Sequence, residues 1–563
     1  MLRPNGRWLT MLPRVPDGAR RRSSVAREAH PHRRLAVGCR VPQRQQATPS
    51  FADAYRAGTI DDAFAIAPGD VEAALAAARP VQRDALVSAL RAAHRRWGAG
   101  DVAHRSLERL AHPEARVVVT GQQVGWLLGP TFTLSKAATA IALARRLDTP
   151  ERPVVPVFWM ATQDHDVDEM DHAWVLGRDE RLTRLTVQVP AGPAVGRAPL
   201  DPADVARART ALRRLDGAGE HADDVDALLA EACEGAERWS DAFARLMLRL
   251  FGDAGLLVVD PLDHAVAALW RDALERELDD PGASATAITS AGSRLAEGGW
   301  PPLLGRGEDA SNLFVERPGG GDRTLLRHRD GALSLGGERV ERATIRAWLD
   351  DDPTVVTPAA GLRPVLQDAA LPTAAFVVGP GELRYVAQLK AVYEHHDVAM
   401  PLVWPRATAT VLQPPVRRIL DRHGLDWRRV MADPERAACE LQLRRHGYGD
   451  AANGALAKVE ETFGDLLAAT RALDPTLDDA VDRGRHHMER TLVRLRERVG
   501  RSLVRQDDEV QRQFARLRAH LRPNGGLQER VLSPFTFFLT LGVDGVRDAF
   551  LTLEPEGDQV LTF

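Results

Sequence analysis

Three consecutive stretches constrain the fold of this chain more than anything else in it. Arg116 to Thr120 reads R-V-V-V-T and stops at Gly121; Thr131 to Leu147 is a helical stretch rich in Ala and Leu; Pro153 to Met160 reads P-V-V-P-V-F-W-M. A β-branched run without polar alternation is the pattern of a strand buried on both faces, and two such strands separated by a helix make a βαβ unit of a parallel sheet. The expected class is therefore α/β, with a Rossmann-like parallel core. Open sheets of this kind bind ligands outside the carboxyl ends of their strands. The segments following the two strands are where chemistry belongs.

The first of these runs from Thr120 to Pro130 and places Gly121, Gly125 and Gly129 around the polar pair Gln122 and Gln123. Glycines let backbone approach a ligand closely, although a tight structural turn is the competing reading. The spacing is neither G-x-G-x-x-G nor G-x-x-x-x-G-K-[ST], so the dinucleotide and Walker A fingerprints are excluded. Lys136 lies on the helix just beyond, within reach of an anionic group. The second segment, Gln163 to Glu169, packs Asp164, His165, Asp166 and Asp168 directly after an apolar strand. Glu169 and Val175 stand where an EF-hand needs glycine and glutamate, so a calcium loop is excluded. His165 and His172 have no second matching pair that would suggest a metal site. A solvated acidic helix start is the alternative to a catalytic cluster.

The sheet is expected to resume after residue 350, with strands at Thr354 to Thr357, Ala374 to Val378 and Leu402 to Trp404 and a helix from Glu382 to about His395. This part carries Arg363, Gln367 and Asp368, the turn Gly379-Pro-Gly381-Glu382 with Tyr385, then Lys390, and finally Arg406. Arg363, Lys390 and Arg406 are candidate cations for carboxylate or phosphate groups. Lysine usage adds weight, because Lys136, Lys390 and Lys458 are the only lysines among 74 basic residues. A lysine retained against that bias is a candidate for a role needing a compact ammonium, with chance retention as the alternative.

The remaining organisation follows from composition and periodicity. At 563 residues the chain is too long for one core. Residues 1–47 hold eleven Arg against Asp17 and Glu28, a local charge of +9 that leaves −13 for the rest of a chain with net charge −4. This extension is expected to be disordered, and a start codon assigned upstream of the native one, a transit peptide and a basic tail are alternative explanations. Residues 48–177 form the first half of the core, with N-terminal helices at Val71 to Arg79 and Val81 to Trp97. Residues 178–350 are insertions, with a hairpin around Leu182 to Val195 and a strand Leu256 to Val259. Residues 351–434 are the second half of the core. Residues 435–522 form a helical coiled-coil arm with stripes at Met488, Leu492, Leu495, Val499, Leu503 and at Val510, Phe514, Leu517, Leu521. Residues 523–563 return to apolar, strand-like sequence that docks on the core. Three scattered cysteines argue against disulfides or a zinc site and for a reducing cytoplasm. Nothing in the composition calls for nucleic acid or membrane as a partner.

The motifs T-G-Q-Q-x-G with G-P, V-F-W followed by D-H-D, L-R-P-x-x-Q-D, G-P-G-E with A-Q-L-K, M-P-x-x-x-P-R, and Leu527-Gln-Glu-Arg530 after Pro523-Asn-Gly resemble, in that order, the bacillithiol biosynthesis cysteine-adding enzymes. The resemblance runs from about residue 50 to the C-terminus. It implies a Rossmann-like core related to nucleotidyl transferases, a coiled coil that makes a homodimer, and a ligase that joins L-cysteine to glucosaminyl-malate. Under it His165 is the first choice for the base, Asp164 and Asp166 orient an ammonium, and Lys136, Arg363 and Arg406 meet malate carboxylates or a nucleotide phosphate. The cofactor is unknown, and ATP enters only through fold kinship. Thr357-Pro-Ala-Ala-Gly departs from the family's usual Ser-Pro-Asn-Val. An adenylating ligase acting on another amine, and a non-catalytic coiled-coil binding protein, are the alternatives.

Overall fold

The strand Arg116–Gln122 lies at the centre of a five-stranded parallel sheet in the computed structural model, which describes residues 50–77, 79–217, 219–305 and 307–563. The extension at 1–47 lies outside the described residues. On one side of the central strand lie Val154–Met160 and then Leu257–Val259; on the other lie Thr373–Val378 and then Leu402–Pro405. The chain thus winds outward in both directions, and the switch point falls between Arg116–Gln122 and Thr373–Val378. Pairing of Val154–Met160 with Leu257–Val259 begins at Val157, one residue after Pro156, which has no N–H to donate.

The unbroken apolar runs are explained by cover on both faces. Val118 packs with Ala140, Leu143, Ala144 and Leu147 of the helix Phe132–Leu147, whereas its neighbours Val117 and Val119 belong to the larger core. The N-terminal helices Arg83–Arg96 and Asp101–Leu110 add Leu86, Leu90, Leu107 and Leu110 to that core.

Several expected elements take other forms. The hairpin pairs His172–Leu176 with Leu182–Thr186, so its first strand precedes the expected region. Val356–Pro358 does not join the parallel sheet. It pairs antiparallel with Ala310–Val315 at the edge of a second sheet continued by Thr324–Arg329, Ala332–Leu335 and Glu338–Val340. A three-residue buried strand has the same apolar signature in either sheet. The helix expected over 382–395 is two, Pro380–Val386 and Lys390–His395. Between them the buried side chain of Gln388 accepts from Leu303 N at 3.0 Å and Leu304 N at 2.9 Å and donates to Leu304 O, a backbone-like partner for the neighbouring loop.

The arm is an antiparallel pair, Tyr448–Leu473 and Asp478–Gln506. The stripe Val510, Phe514, Leu517 and Leu521 is not part of it; these residues are buried at the base against Val416, Leu420, Val430 and Leu441. The C-terminal segment, expected to be strand-like, is mostly helical: Gln528–Val531, Phe535–Leu541 and Val543–Phe550 are helices, and Asp558–Thr562 is a strand parallel to Thr408–Leu412. Phe535–Leu541 is rich in strand formers, and burial of its aromatic residues against the core overrides that propensity. Among the described residues no helix is long and apolar enough to cross a membrane.

Candidate active site

The glycine turn owes its glycines to close packing. A Cβ on Gly121 would sit 2.7 Å from Trp159 O, and one on Gly125 would sit 2.8 Å from Gly129 Cα. Leu127, Leu128 and Gly129 follow one another at φ of 48°, 67° and 61°, a left-handed stretch that costs free energy at the two leucines. It is held by Ser533 Oγ donating to Leu127 O at 2.8 Å, Trp126 N to Met170 O at 2.9 Å, and Trp239 Nε1 to Val124 O at 2.8 Å. Thr120 is likewise structural: its hydroxyl donates to Val377 O across the switch point.

Beyond the turn the two glutamines diverge. Gln122 belongs to a cationic crevice between the carboxyl ends of Arg116–Gln122 and Thr373–Val378. Buried Lys136 reaches Gly121 O at 2.7 Å, Gln122 Oε1 at 3.0 Å and Glu382 Oε2 at 2.5 Å. Glu382 is presented by the capping turn, where Gly379 N donates to Oε2 at 2.8 Å. Burial lowers the Lys136 pKa and Glu382 opposes it. On Glu382 burial acts upward, but Lys136 and Arg363 outweigh it and keep the carboxylate ionised. Arg363 donates to the Tyr385 hydroxyl at 2.7 Å and lies 3.9 Å from Glu382. Arg406 forms a buried bidentate pair with Glu529, at 2.8 and 2.6 Å. The adjacent Arg530 is exposed; partial enclosure and the Arg406 charge lower its pKa, while Glu529 and Glu382 oppose them.

Gln123 belongs to the acidic turn. Its Nε2 donates to Asp164 Oδ2 at 2.8 Å, while Asp164 Oδ1 accepts from His165 N at 2.7 Å. Burial raises the Asp164 pKa, but hydrogen bonding to His165 and the Arg323 charge more than offset it, leaving it well below the usual carboxylate range. Arg323 enters from the insertion, its guanidinium 3.9 Å over the Phe314 ring and 2.7 Å from His165 Nδ1. Asp166 caps the next turn by accepting from Asp168 N at 3.1 Å. Glu169, at the end of that turn, is pushed up to about 7 by burial and by the charges of Asp166 and Asp164.

Gln122, Lys136, Arg363, Gly379, Glu382, Tyr385 and Arg406 thus converge on one crevice, and Gln123, Asp164, His165 and Asp166 on the adjoining turn. Gln367 and Asp368 stand apart. They are buried, linked to each other at 3.1 Å, and Asp368 accepts from Tyr393 Oη at 2.6 Å. Among the described residues Lys390 reaches only Asp62 O, at 3.3 Å, and a Cβ on Gly381 would face open space. Arg406 is committed to Glu529 rather than held free for a substrate. The motifs missed Glu169, Glu529, Arg530 and Arg323. The first three lie inside or beside strings already singled out, whereas Arg323 carries no local signal.

Residues 51–407 match the family described as bacillithiol biosynthesis BshC, N-terminal Rossmann-like domain, and residues 409–560 match its C-terminal coiled-coil domain. Relatives named "Putative cysteine ligase BshC" include one from Thermus thermophilus, 40% identical over 469 residues that cover 82% of this chain and 91% of the relative. Another, from Salinibacter ruber, is 34% identical over 472 residues, 82% of this chain and 85% of the relative. A third, from Geobacillus kaustophilus, is 30% identical over 515 residues, 88% and 94%. A solved arginyl-tRNA synthetase of Thermus thermophilus, aligned over 81% of this chain and 85% of its own at 11% identity, has a TM-score of 0.18, too low to carry an argument. With both domains matched in order, the chain belongs to the BshC family of bacillithiol biosynthesis.

Proposed function

We propose that the chain is a ligase that forms an amide between the carboxyl of L-cysteine and the amine of glucosaminyl-malate, the last step of bacillithiol biosynthesis. The observation that carries this reading is the pair Gln122 and Gln123, adjacent residues that hold Lys136 on one side and Asp164 on the other. They join a cationic crevice to an acidic turn at one end of the sheet, where open α/β sheets take their ligands. The crevice holds four cations, Lys136, Arg363, Arg406 and Arg530, against the carboxylates of Glu382 and Glu529. The surplus of two positive charges matches a malate group with two carboxylates, and Arg530 is the cation most open to it. The acidic turn beside it suits the amine, which arrives as an ammonium and must lose a proton before it attacks an activated acyl carbon.

The arm supports a homodimer in this reading. Leu466, Leu473 and Met488 are 48%, 88% and 42% exposed along the helix pair, apolar surface that a second copy would cover. The scattered cysteines keep the expected cytoplasmic setting. Deleting the gene in its host tests the reaction: bacillithiol should disappear and glucosaminyl-malate accumulate. Unchanged levels of both would refute it.

A further inference from the structure

We propose that His165 serves this reaction as a hydrogen-bond donor through Nε2, its tautomer set by Arg323, and that Glu169 is the base for the attacking amine. The assignment rests on the ligase reading and gives roles to groups within that site.

A guanidinium carries donors only, so Arg323, 2.7 Å from His165 Nδ1, must donate to it. Nδ1 also lies 3.5 Å from Asp164 Oδ1, but the guanidinium is much closer, so Nδ1 is the accepting nitrogen and the single proton of the ring sits on Nε2. The donor is fixed in place: Arg323 Nε donates to Thr357 Oγ1 at 2.8 Å, another nitrogen to Pro358 O at 2.6 Å, and Phe314 lies beneath the guanidinium. To act as a base, His165 would have to accept a proton at the nitrogen already facing this cation. At Nε2 it offers an N–H, the group that stabilises an acyl oxygen as negative charge develops on it.

Another group must then take the amine's proton. Asp164 has both oxygens engaged, by His165 N and Gln123 Nε2, and is held ionised. Asp166 caps its own turn. Glu169 is half-buried at the end of the turn that Asp166 caps, where burial and the charges of Asp166 and Asp164 raise its pKa and the Gln123 side chain and Lys136 oppose them. These surroundings separate the two carboxyls, Asp164 downward and Glu169 towards neutrality, the division of labour expected of a spectator anion and a proton acceptor. A further observation points to a ligand. Gln123 is more than nine-tenths buried, and its Oε1 has no hydrogen-bond partner among the described residues. An ammonium N–H supplies what that oxygen lacks. One proton passes from the ammonium to a Glu169 carboxylate oxygen, and nitrogen keeps the electron pair. That pair forms the bond to the acyl carbon while the carbonyl π pair moves to oxygen, which accepts from His165 Nε2–H. As the pair returns, the oxygen leaving group of the activated cysteine carboxyl departs with its bonding electrons and nitrogen gives its second proton to solvent.

The test has two readouts. In full-length protein labelled with ¹⁵N-histidine, the His165 signals, identified by their loss in His165→Asn, should show Nδ1 unprotonated and Nε2 protonated at neutral pH. A proton on Nδ1 overturns the tautomer whether or not any substrate turns over. In turnover of cysteine and glucosaminyl-malate, His165→Ala should lower kcat by about 10²–10³-fold. His165→Asn, which keeps a donor and is no base, should recover at least ~10-fold of that. Both should keep the acid limb of kcat/KM near pH 7. Glu169→Gln should lose about 10²–10⁴-fold and lose the limb, and Glu169→Asp should displace it. A limb lost in His165→Asn, or kept in Glu169→Gln, reverses the assignment. Wild-type protein that forms no product from these substrates refutes the ligase reading instead, and the nitrogen spectrum then judges the tautomer by itself.

Discussion

Lys136 Nζ meets three oxygens, Gly121 O, Gln122 Oε1 and Glu382 Oε2, at 2.7, 3.0 and 2.5 Å. The ammonium's three donors are thus all used, and they tie the two strands that flank the switch point. A bulkier, planar guanidinium cannot reproduce this three-way arrangement in a buried site, which is a physical reason for a lysine to persist in an arginine-rich chain. Lys136→Arg should reduce kcat/KM by about 10²-fold through misplacement of the crevice. Lys136→Met should destabilise the fold by about 3–5 kcal/mol, with much of the loss recovered in Lys136→Met/Glu382→Leu, because the single change leaves a carboxylate unpaired. Denaturant titration and steady-state kinetics check both. Full activity in Lys136→Arg would return this lysine to chance.

Arg406 and Glu529 form a second pair of this kind, linking the end of Leu402–Pro405 to the C-terminal segment. Arg406→Leu should cost about 3–5 kcal/mol and loosen that segment, seen as faster cleavage between residues 523 and 563 in limited proteolysis. A variant of unchanged stability whose only defect is a raised KM would place Arg406 on the substrate instead.

The parallel core was legible because its strands are buried on both faces and so carry unbroken apolar runs, as at Val117 to Val119 and Ala374 to Val378. The outer pieces were not, since a run such as Val356–Pro358 reads alike in a parallel and an antiparallel edge. Within the site, the acidic turn and Lys136 stood out by composition. Their working partners did not. Arg323 meets His165 across 158 positions of chain, a contact with no local pattern. Arg406 looked like an available cation because Glu529, its partner, lies 123 residues on.

Glu169 makes a prediction about stability as well as rate. Its carboxyl titrates near pH 7 in the folded protein against 4.5 unfolded, so folding favours the protonated form. That contribution is whole below pH 4.5 and is lost as pH rises through 7. Glu169→Gln, always neutral, should therefore exceed the wild type in stability at about pH 9 by on the order of 3 kcal/mol, and show no advantage at about pH 5. Melting curves across this range check it. Parallel pH dependences for the two proteins would contradict the shift.

The triple variant Leu466→Glu, Leu473→Glu, Met488→Glu replaces exposed apolar side chains of the arm without touching the buried base around Phe514 and Leu517. Light scattering should find a dimer in the wild type and a monomer in the variant, with the fold unchanged by circular dichroism. A dimer that survives all three substitutions would exclude the arm as the interface.

An amide bond made between two small molecules can be shown directly with purified protein. Incubated with L-cysteine and glucosaminyl-malate, in parallel with and without ATP, the wild-type protein should yield a species heavier than glucosaminyl-malate by one cysteine less one water. Comparison of the two arms shows whether the nucleotide is consumed. Recovery of both substrates unchanged in both arms would contradict the account.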